Sequence, residues 1–268
     1  EYYNNLFMGI GNNENDNPMF IDQSVIRNVE NVGWGWGTTS GDYDNDGDVD
    51  IVATNGWPSF PNESTRYWSN DSQGNFSDTG FVAGLGFNIN GRGLIHFDYD
   101  KDGDLDLAFI RIYRNDLPAI GFTRSLRIDI NTDSHPCLAP MGYGTRLIAT
   151  YNGTQHLRVI NGESGYLGQS ELTVHFGLEG LESVDELRIE WADGTVTTLN
   201  DVASDQEITI NAFHQLDLTH DGRINYYDVS RLIRAYITND IEADINGDSN
   251  INVLDIMDFI TRYDSPCS

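Results

Sequence analysis

The sequence contains few basic residues, only two cysteines and no long apolar run. Lysine and arginine together number 15 against 42 aspartates and glutamates, which gives a formal net charge of −27. A chain this acidic has little basic surface for phosphates, so we expect no nucleic-acid partner. No stretch approaches the roughly 18 apolar residues that a membrane-spanning helix needs, so we expect no membrane span. The opening segment EYYNNLFMGI lacks the basic start and cleavage site of a signal peptide, which favours a mature or truncated product.

Signatures of common enzyme classes are also missing. The sequence has no H-E-x-x-H, no G-x-S-x-G and no Walker A motif. Glu163, His175, Glu190 and Asp193 are candidates for paired-carboxylate chemistry, but nothing in their spacing requires them to face one another. A lone histidine inside a strand pattern is more often packed than catalytic. We therefore predict that the protein is not an enzyme.

What the sequence does contain is aspartate at a fixed spacing. The segment GDYDNDGDVD at 41–50 has aspartates at alternate positions, and FDYDKDGDLDLAFI repeats the pattern 56 residues later. Carboxylates this close repel each other by about 1 kcal/mol per pair, which a bound cation would offset. Oxygen ligands alone indicate a hard cation, and six or seven flexible oxygens suit Ca²⁺ better than Mg²⁺. The alternative is a solvated acidic turn without metal, which would tolerate irregular spacing. The predicted ligands are Asp42, Asp44, Asp46, Asp48 (through its carbonyl) and Asp50, then Asp98, Asp100, Asp102, Asp104 and Asp106.

The two aspartate loops belong to a longer repeat. The β-branched run IVATNG after the first loop predicts a strand, so each loop is expected to be a hairpin turn. MFID at 19–22 and NFSD at 75–78 keep the same period, and repeats of this length are typical of β-propellers. On WGWGTTSGDYDNDGDVDIVATNG and GRGLIHFDYDKDGDLDLAFI, residues 1–120 resemble FG-GAP repeats of the VCBS-like group, which implies propeller blades. Two complete units and a partial one would not close a ring of about seven blades. We therefore expect either a fragment of a longer protein or strand edges covered by a neighbouring molecule.

Residues 121–211 have a different pattern. The runs SLRIDI, GTRLIATY, HLRVI, ELTVHFGL, ELRIEW and TVTTL are separated by turn residues and show no helical period. They predict an antiparallel β-sandwich. On SGYLGQS at 164–170, HFGL at 175–178 and LRIEWADG at 187–194, this region is similar to the ASPIC/UnbV domain of bacterial proteins. That resemblance implies an extracellular binding or matrix role and no defined reaction.

Residues 212–268 contain two further loops of the calcium type, DLTHDGRINYYD and DINGDSNINVLD, which begin 27 residues apart. Glycine occupies position 6 of the first loop and Ser249 that of the second. The predicted ligands at positions 1, 3, 5, 7, 9 and 12 are Asp217, Thr219, Asp221, Arg223, Asn225 and Asp228, then Asp244, Asn246, Asp248, Asn250, Asn252 and Asp255. Four loops imply about four Ca²⁺ ions.

Each of these loops runs into an amphipathic helix. The predicted apolar faces are Val229, Leu232, Ile233, Tyr236 and Ile237 in one helix, and Val253, Ile256, Met257 and Ile260 in the other. Paired loops ending in Asp resemble a dockerin domain. That resemblance implies binding to a cohesin-like module through Tyr226, Tyr227, Val253 and Leu254, at loop positions 10 and 11. The alternative is that these four side chains pack the module against its own sandwich.

The cysteines and glycosylation sequons complete the candidate sites. Cys137 and Cys267 could form a bridge between the tail and the sandwich, with free thiols or intermolecular pairing as the alternative. Sequons at Asn62, Asn70, Asn75 and Asn152 are expected in surface turns.

The sequence as a whole predicts a mainly β, exported, calcium-binding structural or interaction protein. Sites of this kind fill at millimolar extracellular calcium, so we expect the cell surface or an extracellular fibre. Attachment or assembly would proceed through a cohesin-like scaffold, or through neighbouring copies that complete the strand edges and build a filament. A carbohydrate-binding or carbohydrate-active protein is the third alternative, based on the aromatic residues Trp57, Tyr67 and Trp68.

Overall fold

The protein is mainly β in the part of the chain that can be described. The computed structural model describes residues 5–56, 64–86, 91–117, 123–162, 165–263 and 266–267. Trp57, Asn62 and Glu163 lie outside these ranges. Five sheets are followed by two α-helices along the described chain. Neither of those helices is long and apolar enough to cross a membrane.

An exposed hairpin comes first. β1 (Phe7–Asn12) and β2 (Pro18–Asp22) pair antiparallel, and every residue of both strands is exposed. Phe7 and Phe20 are each 61% exposed. A two-stranded ribbon is marginally stable by itself in water. The hairpin therefore gains little stability from the apolar cores that stabilise the rest of the described chain.

Two larger sheets complete the N-terminal region, which we define as residues 5–117. Both are antiparallel, and their strands are hydrogen-bonded in chain order. The strands are β3 (Gly35–Gly41), β4 (Asp50–Asn55), β5 (Arg66–Asn70) and β6 (Phe76–Asp78) in one sheet, and β7 (Ile95–Phe97), β8 (Asp106–Ala108) and β9 (Ile112–Tyr113) in the other. One aspartate loop joins β3 to β4 and the next joins β7 to β8, so both are hairpin turns, as predicted. Val52, Leu94, Leu105 and Leu107 are buried in a core that the two sheets share.

The central region, residues 123–216, has two sheets around one core. Its strands are β10 (Ser125–Asn131), β11 (Arg146–Tyr151), β12 (Thr154–Val159), β13 (Val174–Gly177), β14 (Ser183–Glu190), β15 (Val196–Ala203) and β16 (Gln206–Asn211). The sheet orders are β13-β10-β16 and β12-β11-β14-β15. Leu126, Phe176, Leu147 and Ile189, two from each sheet, are fully buried together. Alternation of apolar residues brings these side chains to the inner faces.

The prediction of a wholly antiparallel sandwich is wrong in one pairing. β10 and β16 run parallel, with Ile128 opposite Ile208. The chain leaves β15 in one sheet and enters β16 in the other through a turn at Ser204 and Asp205, where Asp205 has a φ of 55°. Hydrophobic alternation specifies which face of a strand is buried but not the direction of its neighbour, so the sequence could not reveal the parallel pair.

Two short helices form the C-terminal region, residues 217–267. α1 (Tyr226–Thr238) begins with a capping box between Asn225 and Asp228, and α2 (Val253–Tyr263) follows the last loop. The shared core contains Leu216, Leu232, Ala235, Ala243, Ile245 and Phe259. Because a buried aspartate starts each helix, residues four positions later face the core, namely Leu232 after Asp228 and Phe259 after Asp255.

The predicted apolar faces of these helices are therefore partly wrong. Leu232 is buried and Val229 and Tyr236 are partly buried, as expected, but Phe259 is the main core residue of α2. Five residues of the predicted faces are exposed instead, namely Ile233, Ile237, Val253, Met257 and Ile260.

The C-terminal region is attached to the central region at several points. Cys137 and Cys267 form a disulfide. The ring Nε2 of His214 donates to the Pro266 carbonyl at 3.1 Å, and a Cβ on Gly222 would lie 2.5 Å from Ser134 Oγ. The tail and the third aspartate loop thus contact the same edge of the central region.

Candidate metal loops and their interface

The four aspartate loops share one backbone conformation. We number them loop 1 (42–50), loop 2 (98–106), loop 3 (217–228) and loop 4 (244–255). In each, positions 4 and 6 have positive φ, a conformation that favours glycine. These residues are Asn45 (57°) and Gly47 (96°), Lys101 (60°) and Gly103 (94°), His220 (54°) and Gly222 (82°), and Gly247 (73°) and Ser249 (64°).

The same hydrogen bonds fix the carboxylates in all four loops. The position-6 amide donates to Oδ2 of the position-1 aspartate, at 3.0, 3.1, 2.8 and 2.9 Å in loops 1 to 4. The position-7 amide donates to the position-5 aspartate at 2.9, 3.1, 2.9 and 2.8 Å. The backbone therefore curls around the carboxylates and turns them towards a common centre.

The loops differ in the position of the aspartate that closes them. Asp50 and Asp106 close loops 1 and 2 at position 9, and each accepts the amide of position 2, from Tyr43 at 3.1 Å and from Tyr99 at 2.9 Å. Asp228 and Asp255 close loops 3 and 4 at position 12. All four closing aspartates are buried. A strand begins at the closing aspartate of loops 1 and 2, whereas a helix begins two residues before the closing aspartate of loops 3 and 4.

Loop 1 fits a hard cation best. Carboxylate oxygens of Asp42, Asp44 and Asp46 all lie within 4.8 Å of one another. Asp42 Oδ1 and Asp44 Oδ1 are buried and accept no hydrogen bond from the described residues. Burial, reinforced by the neighbouring aspartates, raises the pKa of Asp42 to about 8, and burial raises the pKa of Asp50 to about 7. Buried carboxylate oxygens without donors are what a divalent cation would satisfy.

Loop 2 offers a second such set in a more open position. Asp98, Asp100 and Asp106 bring oxygens within 4.8 Å of one another. Arg114 Nε lies 3.0 Å from Asp100 Oδ2, so a cation would share this carboxylate with a guanidinium. Asp104 turns away, accepting Asn45 Nδ2 at 2.8 Å and the Leu117 amide at 3.0 Å. Its side chain therefore links the two loops.

Loops 3 and 4 are poorer in carboxylates. No three of their acidic groups gather within 4.8 Å, although the structure describes both loops throughout. Thr219 Oγ1 donates to Asp228 at 2.9 Å. The position-9 residues Asn225 and Asn252 accept the amides of Tyr227 at 2.8 Å and Leu254 at 2.9 Å, so both side chains cap helices. The sequence assigned them as ligands, and in the structure they act first on the helix N-termini.

The predicted partner residues are all on the surface. Tyr226 and Tyr227 are 73% and 68% exposed, and Val253 and Leu254 are 57% and 53% exposed. The alternative in which these four side chains pack against the sandwich is therefore wrong. The contacts between the C-terminal and central regions lie elsewhere and include those of Gly222, His214 and Gln215 and the disulfide.

Other candidate residues are not brought together. His175 is buried, and Glu190 pairs with Arg146 and Arg188. Asp193 lies 3.3 Å from His135. These carboxylates are engaged within the region's own structure, and their arrangement does not support the paired-carboxylate hypothesis.

Two aromatic residues of the carbohydrate alternative are also in cores. Tyr67 and Trp68 are only 9% and 4% exposed, and Tyr67 donates to Asp50 at 3.0 Å. Neither provides a platform on which a sugar could stack. Of the sequons, Asn75 and Asn152 are exposed, but Asn70 is half-buried and donates to the Val49 carbonyl at 3.1 Å, so its placement in a surface turn is wrong.

The sequence did not predict the arginines and histidines that contact loops 1 and 2, and only His175 among them was a candidate, for catalysis. These residues come from strands of the central region and are Arg127, His156, Arg158 and His175. One signal was available: His156 and Arg158 alternate along a single strand, HLRVI, in a chain with only 15 lysines and arginines.

Comparison with known proteins agrees with the two larger regions. Residues 42–109 match the model of the FG-GAP-like repeat, and residues 138–216 match that of ASPIC and UnbV. The chain is similar to cartilage acidic protein 1 of Homo sapiens, with 27% identity over 138 residues, and of Mus musculus, with 30% identity over 127. These alignments cover 47% and 43% of the chain but only 20% and 18% of the relatives. The C-terminal region lies beyond both family matches.

Proposed function

We propose that the protein is an exported, non-enzymatic interaction module that calcium makes rigid. The FG-GAP-like and ASPIC and UnbV matches support a structural or protein-interaction role. The observation that carries the calcium assignment is the buried Oδ1 of Asp42, which has no hydrogen-bond donor among the described residues. A cation there would satisfy that oxygen and offset repulsion among carboxylates.

The N-terminal sheets act in this proposal as propeller blades and the central region as a sandwich. β7 and β8 repeat β3 and β4, each pair enclosing one loop. Calcium loops between blade strands replace part of the apolar core that sheets of this size lack. Export follows from the same argument, because extracellular calcium is high enough to fill modest sites.

The C-terminal region is proposed to be a dockerin-like module that binds a cohesin-like partner. Its exposed side chains support this role. On α1 one exposed stripe consists of Tyr226, Ile233 and Ile237. On α2 a second exposed stripe consists of Val253, Met257 and Ile260. Exposed aromatic and aliphatic residues at helix starts are typical of binding surfaces. The two stripes differ in chemistry, so we expect a single binding orientation.

Calcium content and binding test the first part of this proposal. After dialysis against calcium and then buffer, elemental analysis should find between two and four Ca²⁺ per chain, and excess EGTA should lower the melting temperature. A chain without bound calcium, or one whose melting temperature does not change in EGTA, would contradict the proposed calcium binding.

Immobilised cohesin modules test the second part. The full chain should bind in calcium, and Tyr226→Ala with Tyr227→Ala should weaken binding at least about tenfold, given the weight of buried aromatics in interfaces. Thr238→Ala, on the same helix but outside the stripe, is the matched control. Calcium-dependent filaments seen by light scattering and negative-stain microscopy, without cohesin binding, would support assembly between copies instead.

A further inference from the structure

Loops 1 and 2 form part of the joint between the N-terminal and central regions, which also meet where Leu94 pairs with Gly165. His156 Nδ1 donates to the Gly47 carbonyl at 3.0 Å, and His175 Nε2 donates to the Gly103 carbonyl at 3.0 Å. A carbonyl can only accept, so each ring nitrogen carries the proton in these bonds. Both glycines occupy position 6 of their loops. The central region therefore holds the two loops at equivalent atoms.

An arginine adds a second equivalent contact at each loop. Arg127 Nη1 lies 3.2 Å from Asp98 Oδ2, and Arg158 Nη2 lies 3.7 Å from Asp42 Oδ2. Both aspartates occupy position 1. Each loop thus meets one histidine and one arginine of the central region, although the four residues come from three different strands.

Backbone amides of the central region also bond to loop 1. The Gly177 amide donates to Asp42 Oδ2 at 2.9 Å, and the Glu179 amide donates to the Asn45 carbonyl at 2.9 Å. The fit is close, since a Cβ on Gly177 would lie 2.4 Å from Asp42 Oδ2. Asp42 therefore has one oxygen, Oδ2, bonded to the central region and the other, Oδ1, left for a cation.

We propose that the central region completes the metal sites of loops 1 and 2, with His156 and His175 as positioning residues. They hold the carbonyl of the position-6 glycine, whose own N–H donates to the position-1 carboxylate. The other half of that carbonyl's peptide group, the position-7 N–H, donates to the position-5 carboxylate. Because cation binding and docking order the same atoms, each must strengthen the other. Outer contacts of this kind change metal affinity about 10- to 100-fold. The inference rests on the proposed calcium function and adds a role for the ASPIC and UnbV segment.

Calcium titration of the ¹⁵N-labelled full chain tests the inference loop by loop. The amides of Gly47, Gly103, Gly222 and Ser249 donate to the four position-1 carboxylates, so each reports its own loop. His175→Phe should weaken calcium binding at Gly103 at least about tenfold and leave the Ser249 response within about twofold. His175→Gln, whose amide nitrogen can replace Nε2, should restore most of the affinity. At Gly47, His156→Phe and His156→Asn form the corresponding pair.

Hydrogen exchange of the unmodified chain provides a test that needs no buried substitution. In EGTA the Gly177 and Glu179 amides should lose at least about tenfold of their protection. The Leu178 amide lies between them but donates within the central region, to Arg124 at 2.7 Å, and should stay protected.

Three outcomes are distinguishable. Loop-specific weakening with rescue, together with loss of protection at Gly177 and Glu179, would support the coupling. The coupling would be overturned, and the calcium function would stand, on the following result. Calcium binds at all four loops, His175→Phe leaves the calcium affinity unchanged, and EGTA does not alter the protection of the Gly177 and Glu179 amides. If calcium binds at none of the loops, the proposed function and the inference both fail.

Discussion

Loops 1 and 2 and loops 3 and 4 begin with the same six-residue turn but are used differently. The first pair is closed at position 9, opens into strands and supports the joint with the central region. The second pair is closed at position 12 and opens into helices. The position of one aspartate, three residues earlier or later, thus accompanies the change from a hairpin turn to a helix start.

Within the second pair, loops 3 and 4 differ again. Gly222 of loop 3 packs against Ser134, whereas Ser249 at the same position of loop 4 is exposed. Position 6 always needs a positive φ, but only a docked loop also needs the space that a missing Cβ leaves. Burial of the turn, and not the turn itself, therefore decides how strictly glycine is required at position 6.

The largest expected difference in stability is between variants of two position-1 aspartates, Asp42 of loop 1 and Asp244 of loop 4. Asp42 is 1% exposed, and its Oδ2 accepts the Gly47 and Gly177 amides, so Asp42→Ala leaves both donors buried without a partner. We expect a loss of about 3–5 kcal/mol in the free energy of unfolding. In the matched variant Asp244→Ala, the freed amides of Asp248 and Ser249 are exposed to water, and the loss should be about 1 kcal/mol.

Urea unfolding in millimolar calcium measures both variants under the same conditions. Equal losses for the two variants would mean that docking contributes nothing to loop 1, and the comparison between docked and exposed loops would then fail.

A smaller difference is expected in the pH dependence of calcium binding. Burial raises the pKa of Asp42 to about 8 and of Asp50 to about 7, against a usual value near 4. Between those values the metal-free folded state binds more protons than the unfolded state, so its stability falls as pH rises. Calcium must displace these protons, and the affinity of loop 1 should rise at least about tenfold from pH 6 to pH 8.

Loop 4 is the control for the pH dependence of calcium affinity at loop 1. Burial alone would raise the pKa of its closing Asp255, but the amides of Asn252, Asn246 and Ile245 outweigh burial and lower it. Its carboxylate is therefore already ionised, and the Ser249 amide should report an affinity that changes less than about threefold over the same range. If the calcium affinities reported by the Gly47 and Ser249 amides changed equally with pH, the protonation assigned to Asp42, Asp50 and Asp255 would be contradicted.

The loops were predictable from the sequence because ligand spacing is local. Aspartates at positions 1 and 5 with a polar oxygen-bearing residue at position 3 specify a turn within a dozen residues, and hairpins follow from the β-branched run after loop 1. The helix faces were harder to predict. The sequence pattern assigned Met257 and Ile260 to the core, and the structure buries Phe259 because the buried Asp255 sets the rotation of α2.

The joint was not predictable for a physical reason. His156 and Gly47 are 109 residues apart, and their contact depends on how the N-terminal and central regions dock. No local sequence pattern predicts a contact between residues so far apart along the chain. The parallel pairing of β10 and β16 escaped prediction for the same reason, since both strands show ordinary alternation and only their arrangement in space is unusual.

The smallest expected effect separates the two requirements at position 6. Gly222→Ala adds a Cβ at a φ of 82° and 2.5 Å from Ser134 Oγ, so both the backbone and the docked neighbour resist it. We expect a loss of about 1–2 kcal/mol in stability and weaker calcium binding at loop 3. Ser249→Gly at a φ of 64° only relieves the backbone and should gain a few tenths to about 1 kcal/mol. Paired thermal and urea unfolding would measure both changes. If Gly222→Ala cost no more stability than Ser249→Gly gained, the backbone alone would govern position 6, and the contact with Ser134 would have no energetic role.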